Sequence, residues 1–431
     1  VRIGEDPRVQ LPVIVAYDGF FTSHQKRRVQ YFAHQETVQQ FIGPVPERIT
    51  ALDPRRPVTI GPYMNDPDLI NNKYQLHKAM EAAREVIAEV FAEYAELSGR
   101  HYPVVDLYRM EDAEAAVLLL NSAAETAKDV ADRLRQEGLK VGVISPNVLR
   151  PFPAEEIRKA CRNLKALLIG ERGDSYGSGG GPLTHEVKAA LKDDPDNRTL
   201  VMTRIYGLGG KDFYPDDAEA FFRLAQEAAD TGRVKVRFDY HGATAGDPNR
   251  VPPPGTPVIT REEVTGLVEV TQDPETGKLK VKLPPPRQMM ERPKRIAPGH
   301  GACPGCGIFP AINQFLAALE GDVVVLYQTG CAMVVTTGYP FTAHRITYIH
   351  NLFQNGAPTL SGLVEMFYER KRRGEIDVGE DITFVMITGD GGMDIGMGPA
   401  IGTALRNHRM IILEYDNEGY MNTGSQLSYS T

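Results

Sequence analysis

The chain has 431 residues, 42% of them hydrophobic and 41 of them glycine, the composition of a globular protein of roughly three domains rather than of a disordered one. Its formal net charge of -8 supplies no overall basic field and argues against a nucleic-acid partner, although a local basic patch could still dock an acidic protein. No apolar run reaches the roughly 18 residues of a membrane span and no signal-peptide pattern opens the chain, so a soluble, cytoplasmic protein is expected.

The chain begins at Val1 rather than Met and stops at Thr431 soon after a strong motif, so both ends are expected to be truncated. Residues 12–17 read as an apolar strand followed by a turn at Asp18-Gly19, and residues 1–45 as the last piece of a domain. Between 74 and 97 the apolar side chains Leu76, Met80, Ala83, Ile87, Val90 and Tyr94 keep helical spacing, and Ser98-Gly99 is a stop signal. This helix leads into an α/β domain, 46–245 in all. Its apolar runs at 115–120, 141–144, 166–169 and 200–205 alternate with helix-patterned stretches such as 123–136 and 183–192, which predicts an open parallel sheet.

From 246 to 298 prolines cluster around a predicted hairpin, 267–270 and 279–283 joined by a turn at 273–277, and the segment reads as an extended surface connector. A second α/β unit, 299–431, follows. Helix 309–319 would bury Ile312, Phe315, Leu316 and Leu319, and the continuous apolar runs 323–328, 382–387 and 410–415 fit strands covered on both faces.

Two kinds of chemistry gather at the ends of these runs. Gly389-Asp390-Gly391-Gly392 follows one strand, a helix-patterned segment at 395–406 leads to the next, and that strand ends in Asp416-Asn417-Glu418-Gly419-Tyr420. In a right-handed βαβ unit both loops lie at the carboxyl ends of neighbouring strands, where Asp390 and Asn417 would meet at one ion. The three glycines would let backbone N–H groups approach phosphate oxygens, and carboxylate, amide and carbonyl oxygens suit Mg²⁺. A glycine turn beside a capping Asp is the plainer alternative for Gly-Asp-Gly alone.

Four cysteines in so long a chain, two of them close, fit metal binding in a reducing compartment better than a disulfide framework. Cys303-Pro-Gly-Cys306 offers two thiolates from a tight turn ahead of a helix, and Cys331 follows the strand at 323–328. The spacing leaves open an iron–sulfur site, a zinc site with His300 as a fourth ligand, or buried thiols. Cys161, on a helix-patterned segment with Ile157 and Leu164, reads as a core thiol. The basic run Arg370 to Arg373 could steer an acidic partner, with a solvated helix end as the alternative. Gly177 to Gly181 could meet a phosphate, with a plain strand-to-helix turn as its alternative. His344 and His350 read as packing or hydrogen-bonding residues.

Taken in order, these motifs resemble the 2-oxoacid:ferredoxin oxidoreductases, the thiamine-diphosphate enzymes that include the pyruvate synthases. PVIVAYDGFFTSH at 12–24 is similar to the end of the family's α-chain pyrimidine-binding domain. VISPNVLRPFPAEEIRKA at 143–160, ERGDSYGSGGGPL at 171–183 and YGLGGKD at 206–212 are similar to its second, transketolase-C-like domain. GHGACPGCG, TGCAMVVTTGYPFTAH, IHNLFQNGAPTLSG, GDGGMDIG and DNEGYMNTGSQ, all beyond residue 298, are similar to the β chain. The fold implied is α/β, a transketolase-C-like open parallel sheet domain followed by a doubly wound thiamine-diphosphate-binding domain of the PP type.

The resemblance implies oxidative decarboxylation of a 2-oxoacid, most closely pyruvate from the YMNTG run, to acyl-coenzyme A and CO₂, with electrons leaving through a [4Fe-4S] cluster to ferredoxin. Cys303, Cys306 and Cys331 would be cluster ligands, with Cys331 also beside the cofactor. Asp390, the Asn417 side chain and the Gly419 carbonyl would hold Mg²⁺. Gly389, Gly391, Gly392, Glu418, Tyr420, Met421 and Asn422 would line thiamine diphosphate, Asn422 also facing the substrate. Coenzyme A would be co-substrate, and γ-type and ferredoxin-like subunits in an oligomer would be partners. The family's fourth cluster cysteine, its aminopyrimidine-activating glutamate and its carboxylate-gripping threonine and arginine have no counterpart in the chain. Two rival functions are a non-redox thiamine-diphosphate decarboxylase or synthase, which has no use for the cysteines, and a zinc-stabilised interaction subunit, which has none for the diphosphate loop.

Overall fold

Two units make up the chain in the computed structural model, Val1–Ala245 and Gly246–Thr431. The structure describes all residues except 20, 21, 24, 27, 45–54, 56–63, 66, 67, 244–268, 283, 293, 338–341, 377–381, 430 and 431.

In the first unit, helices α1 (Arg2–Glu5), α2 (Gln35–Ile42) and α3 (Asp68–Ser98) precede strands β1 (Val105–Tyr108), β2 (Ala115–Leu118), β3 (Val141–Pro146), β4 (Ala166–Glu171), β5 (Leu200–Ile205) and β6 (Phe238–Tyr240). Helices α4 (Asn121–Gln136), α5 (Ala154–Cys161), α6 (Pro182–Lys192) and α7 (Pro215–Thr231) lie between the strands. The sheet order is β1-β3-β2-β4-β5-β6. Its pairs from β3 to β6 are parallel, as expected, but β1 runs antiparallel to β3. Only residues 109–114 join β1 to β2, too few for the crossover that a parallel return requires. Alternate strand residues serve two cores. Ala115 and Val117 face α4 and α7, while Ala116 and Leu118 face α5 and α6, which is why the runs are apolar throughout. Cys161 is fully buried in the second of these cores, and burial pushes its thiol up to about 12.

The expected strand at 12–17 does not form. These residues have no sheet partner among the described residues, and Ile14 and Val15 are 88% and 79% exposed. Apolar composition alone cannot hold a strand whose N–H and C=O groups have no neighbouring strand to bond. Helix α3 ends at Ser98 as expected and packs Ala83, Val86 and Ile87 against Val9, whereas Leu76 stays exposed.

In the second unit an exposed antiparallel hairpin, β7 (Glu269–Gln272) and β8 (Leu279–Lys282), turns where expected. Lys280 and the backbone N–H groups of Glu275 and Thr276 hold the Asp273 carboxyl down to about 2 in that turn. The prolines 252–254 lie outside the described residues. Then come α8 (Pro286–Glu291), α9 (Ile308–Ala318), β9 (Val323–Gln328), α10 (Cys331–Thr336), β10 (Thr347–Asn351), α11 (Gly356–Arg372), β11 (Thr383–Gly389), α12 (Asp390–Ile395), α13 (Met397–Arg406) and β12 (Ile411–Tyr415). The sheet is parallel throughout in the order β10-β9-β11-β12.

Strands β9 and β11 are central and almost wholly buried, with one core against α9 and another against α11. On α9, Ile312 and Leu316 are buried, but Phe315 and Leu319 only partly. The apolar run at 410–415 is not covered on both faces: β12 is an edge strand and stays partly exposed. The opposite edge, β10, reads Thr-Tyr-Ile-His-Asn and lacks the apolar run that would have announced it. The helix expected at 395–406 also differs. A helix begins at Asp390 itself, breaks at Gly396 and resumes at Met397. The break lies where a Cβ on Gly396 would stand 2.9 Å from the Phe353 carbonyl oxygen.

Candidate functional site

The chain leaves β9 toward β10 on one side and leaves β11 toward β12 on the other, so the carboxyl ends of β9 and β11 flank the crevice where open α/β sheets take their ligands. Asp390, the first residue of α12, is only 1% exposed there. Its Oδ1 accepts the Gly391 N–H at 2.8 Å, and its buried Oδ2 has no partner among the described residues. Leaving such an oxygen unpaired costs about 1–3 kcal/mol, so the position suits a group that brings positive charge.

The Asn417 side-chain amide lies between Asp390 Oδ1 and the Gly419 carbonyl. With its nitrogen toward them it donates to both, at 2.9 and 3.2 Å. With its oxygen toward them, three oxygens face one another, which is the donor set of a hard cation. Glu418 and Gly419, at φ +70° and +147°, turn the chain so that this carbonyl points back. A Cβ on Gly419 would stand 2.1 Å from the Gln426 carbonyl oxygen, so only glycine fits. Met421 and Asn422 lie in the short 3-10 turn that follows.

Packing also demands the glycines of the motif. A Cβ on Gly391 would meet the Tyr420 ring at 2.9 Å, and one on Gly392 would meet Thr388 Oγ1 at 2.6 Å. Gly389 lies under the Tyr415 ring. Two residues that sequence reasoning missed complete the floor: Gln328 and Thr388, both buried at the strand ends, where the Thr388 hydroxyl donates to Gln328 Oε1 and Gln328 Nε2 donates to the Phe353 carbonyl. A polar pair at the ends of two apolar strands was the available signal.

The Cys303-Pro-Gly-Cys306 turn closes with Cys306 N–H on the Cys303 carbonyl at 3.1 Å, and Gly301 N–H ties the same loop to Val335 on α10 at 3.0 Å. Cys331 opens α10. Its thiol is pushed up first by burial, then by Cys306 and Cys303 and, more weakly, by Asp390, so all four groups share one electrostatic neighbourhood. Among the described residues no three His, Cys, Asp or Glu side chains converge on a single ion. His300 rests its ring 4.1 Å from Phe309, and its Nδ1 accepts the Ala302 N–H.

The weaker signals resolve in favour of their plainer alternatives. Arg372 and Arg373 pair with Glu369 at 2.7 Å and Arg370 with Glu375, a solvated helix end. The buried Glu171 carboxylate already fills the start of α6: Gly181 N–H donates to it at 2.8 Å, Leu183 N–H at 3.0 Å, and the Thr184 hydroxyl donates as well. Nearby, Asp18 takes the Ser122 N–H of α4 at 2.7 Å and lies 3.6 Å from Arg172. Both anion positions at the end of the first sheet are thus occupied by the chain's own carboxylates, and the glycine run 177–181 serves as a turn. His344 stacks on Tyr348 with its Nε2 3.2 Å from Thr336 Oγ1, and His350 pairs with Thr329. Among the described residues no helix is long and apolar enough to cross a membrane.

Both matching family models lie within the first unit. Residues 1–92 match the family model for the thiamine-diphosphate-binding part of pyruvate flavodoxin/ferredoxin oxidoreductases, and residues 113–218 that for pyruvate:ferredoxin oxidoreductase core domain II. The chain is 37% identical over 241 residues to pyruvate synthase subunit PorA of Pyrococcus abyssi, 56% of this chain and 60% of that protein. It is 30% identical over 234 residues to ketoisovalerate oxidoreductase subunit VorA of Pyrococcus horikoshii, 54% of this chain and 59% of that one. A solved 2-oxoglutarate:ferredoxin oxidoreductase from Magnetococcus marinus aligns at 16% identity with a TM-score of 0.29, over 44% of this chain and 29% of its own. The chain spans about 60% of the length of the curated relatives it matches.

Proposed function

We propose, from the premise that this chain is a relative of the pyruvate synthases within the 2-oxoacid:ferredoxin oxidoreductase family, that its second unit holds thiamine diphosphate through Mg²⁺ beside a [4Fe-4S] cluster. Its reaction is the oxidative decarboxylation of a 2-oxoacid, pyruvate foremost, to acyl-coenzyme A and CO₂, with ferredoxin as electron acceptor. The observation that carries this reading is the meeting of Asp390, Asn417 and Gly419 at the crevice beside which Cys331 opens its helix.

The Asp390 carboxylate, Asn417 and the Gly419 carbonyl would hold the ion, and Gly389 to Gly392 with Glu418 to Asn422 would line the cofactor, Asn422 toward the substrate. When bound, thiamine diphosphate supplies the decarboxylation chemistry and the cluster accepts electrons singly. Cys303, Cys306 and Cys331 are cluster ligands in this reading. Cys303 and Cys306 from one turn, with Cys331 in the same electrostatic neighbourhood, would supply three of the four thiolates that a cubane takes. Similarity to a ketoisovalerate oxidoreductase subunit supports a branched 2-oxoacid as the second substrate class. Coenzyme A, γ-type and ferredoxin-like subunits and a cytoplasmic, oligomeric assembly belong to the same proposal.

Iron, zinc and acid-labile sulfide analysis of anaerobically purified protein, with calorimetric titration of thiamine diphosphate and Mg²⁺, tests it. About four irons and Mg²⁺-dependent cofactor binding are expected. Cofactor binding without iron would point to a non-redox decarboxylase, and zinc without cofactor binding to an interaction subunit. Viologen reduction by pyruvate and coenzyme A, with partner subunits supplied, tests the reaction itself.

A further inference from the structure

Asp394 follows Asp390 by one turn of α12. Its Oδ2 accepts two hydrogen bonds from the loop beyond β12: Tyr420 Oη donates at 3.1 Å and the Tyr429 backbone N–H at 2.8 Å. Between these two points the loop is closed on itself, with Tyr420 N–H on the Gln426 carbonyl at 2.8 Å and Ser425 N–H on the Tyr420 carbonyl at 3.0 Å. The Tyr420 ring lies over Gly391 so closely that a Cβ there would stand 2.9 Å from it. One carboxylate therefore grips the loop at both ends, and the ring wedges it against α12.

Asn417 and Gly419 hang from the start of the same loop, and they reach back to Asp390. Asp390 is referenced to α12 by the covalent chain. Asn417 and Gly419 are referenced to it through Tyr420 and Asp394. We propose that Asp394 is a positioning residue for the cation site, latching Tyr420 and Tyr429 to α12 and so setting how far Asn417 and Gly419 stand from Asp390. This rests on the reading of Asp390, Asn417 and Gly419 as the Mg²⁺ site. Asp394 touches neither the ion nor the cofactor; it acts through Tyr420.

The test is a calorimetric titration of the full chain with Mg²⁺ in the presence of thiamine diphosphate, together with amide hydrogen exchange without either. Asp394→Ala is expected to weaken Mg²⁺ affinity roughly 10- to 100-fold, the loss of charged hydrogen bonds. Asp394→Asn, which keeps an acceptor, restores most of it, Tyr420→Phe loses less, and the double variant Asp394→Ala, Tyr420→Phe is no weaker than Asp394→Ala alone. In Asp394→Ala and Tyr420→Phe the amides of 417–429 exchange faster while those of β9 and β11 keep their protection. Unchanged affinity and unchanged exchange in both single variants would overturn the proposal, as would an affinity loss in Asp394→Ala that Asp394→Asn does not restore and Tyr420→Phe does not share. Failure of the unmodified protein to bind Mg²⁺ would remove the cation-site reading instead, and the exchange arm would still report whether the latch exists.

Discussion

The hydroxyl of Tyr415, at the end of edge strand β12, accepts a hydrogen bond from the backbone N–H of Ala332 at 3.2 Å, reaching past the end of β11 to the helix that Cys331 opens. Its ring crosses Gly389, where a Cβ would stand 3.1 Å away, and its oxygen meets the position that a Cβ on Gly330 would take at 2.7 Å. Burial pushes the phenol up to about 12, so the hydroxyl stays protonated. Tyr415→Phe leaves the Ala332 N–H without its acceptor and should cost about 1–3 kcal/mol in urea denaturation. A loss near zero would show that α10 holds its start by other means.

Asp390→Ala should abolish Mg²⁺-dependent thiamine-diphosphate binding, and Asn417→Ala should weaken it less. Without Mg²⁺ the same Asp390 variant should melt at an unchanged or higher temperature, because it removes a buried oxygen that has no partner among the described residues. Calorimetry and thermal melts on one preparation check both signs. Lower stability with intact binding would reverse the assignment.

Cys306→Ala should bleach the cluster spectrum, whereas Cys161→Ala should leave it intact and cost about 1–2 kcal/mol of stability as a core truncation. Alkylation of the folded, cluster-free protein near pH 8 should label the exposed Cys303 and spare Cys161, whose buried thiol stands at about 12. Mass spectrometry of the labelled peptides decides it.

His344 is buried against Tyr327 and Tyr348, and burial pushes its imidazole down to about 4 from 6.5. The unfolded chain takes up this proton below about 6.5, and the folded protein refuses it until about 4. Stability is therefore full above that window and falls as pH drops through it, by up to about 3 kcal/mol. His344→Phe, which keeps a stacking ring, should flatten that part of the pH profile in urea denaturation. An unchanged slope would place the titration elsewhere.

Glu171→Ala should cost about 3 kcal/mol, since it strips the acceptor from the first N–H groups of α6, and Glu171→Gln should cost less. Inorganic phosphate should not protect the unmodified protein against melting through this helix start. Protection lost in a Gly181→Ala variant would contradict that.

What the sequence disclosed follows from how strands are buried. The runs at 166–171, 200–205, 323–328 and 383–389 lie inside sheets covered on both faces, so their apolarity is continuous and their elements were legible. An edge strand need not carry such a run, which hid β10, and can carry one without being covered on both faces, which misassigned the exposure of β12. Asp390 and Asn417 were legible as partners because the βαβ rule brings their loops together, and the structure does so to 2.9 Å. Glu171 and Asp18 were not, because their partners are backbone N–H groups, which every sequence possesses.

Gln328 carries one further consequence. Glycines from two segments, the start of α11 and α12 with its end, press on its side chain: a Cβ would stand 2.4 Å from it on Gly356, 3.2 Å on Gly392 and 3.0 Å on Gly396. Shortening Gln328 would relieve Gly356, whose nearest contacts are all Gln328 atoms, but Gly392 would still meet Thr388 and Gly396 the Phe353 carbonyl, and the change would also untie Thr388 and Phe353. Gly356 and Gln328 are therefore bound to one another as a pair. A lineage that enlarged Gly356 would have to shorten the glutamine as well, whereas Gly392 and Gly396 would stay small even then, held by Thr388 and by the Phe353 carbonyl.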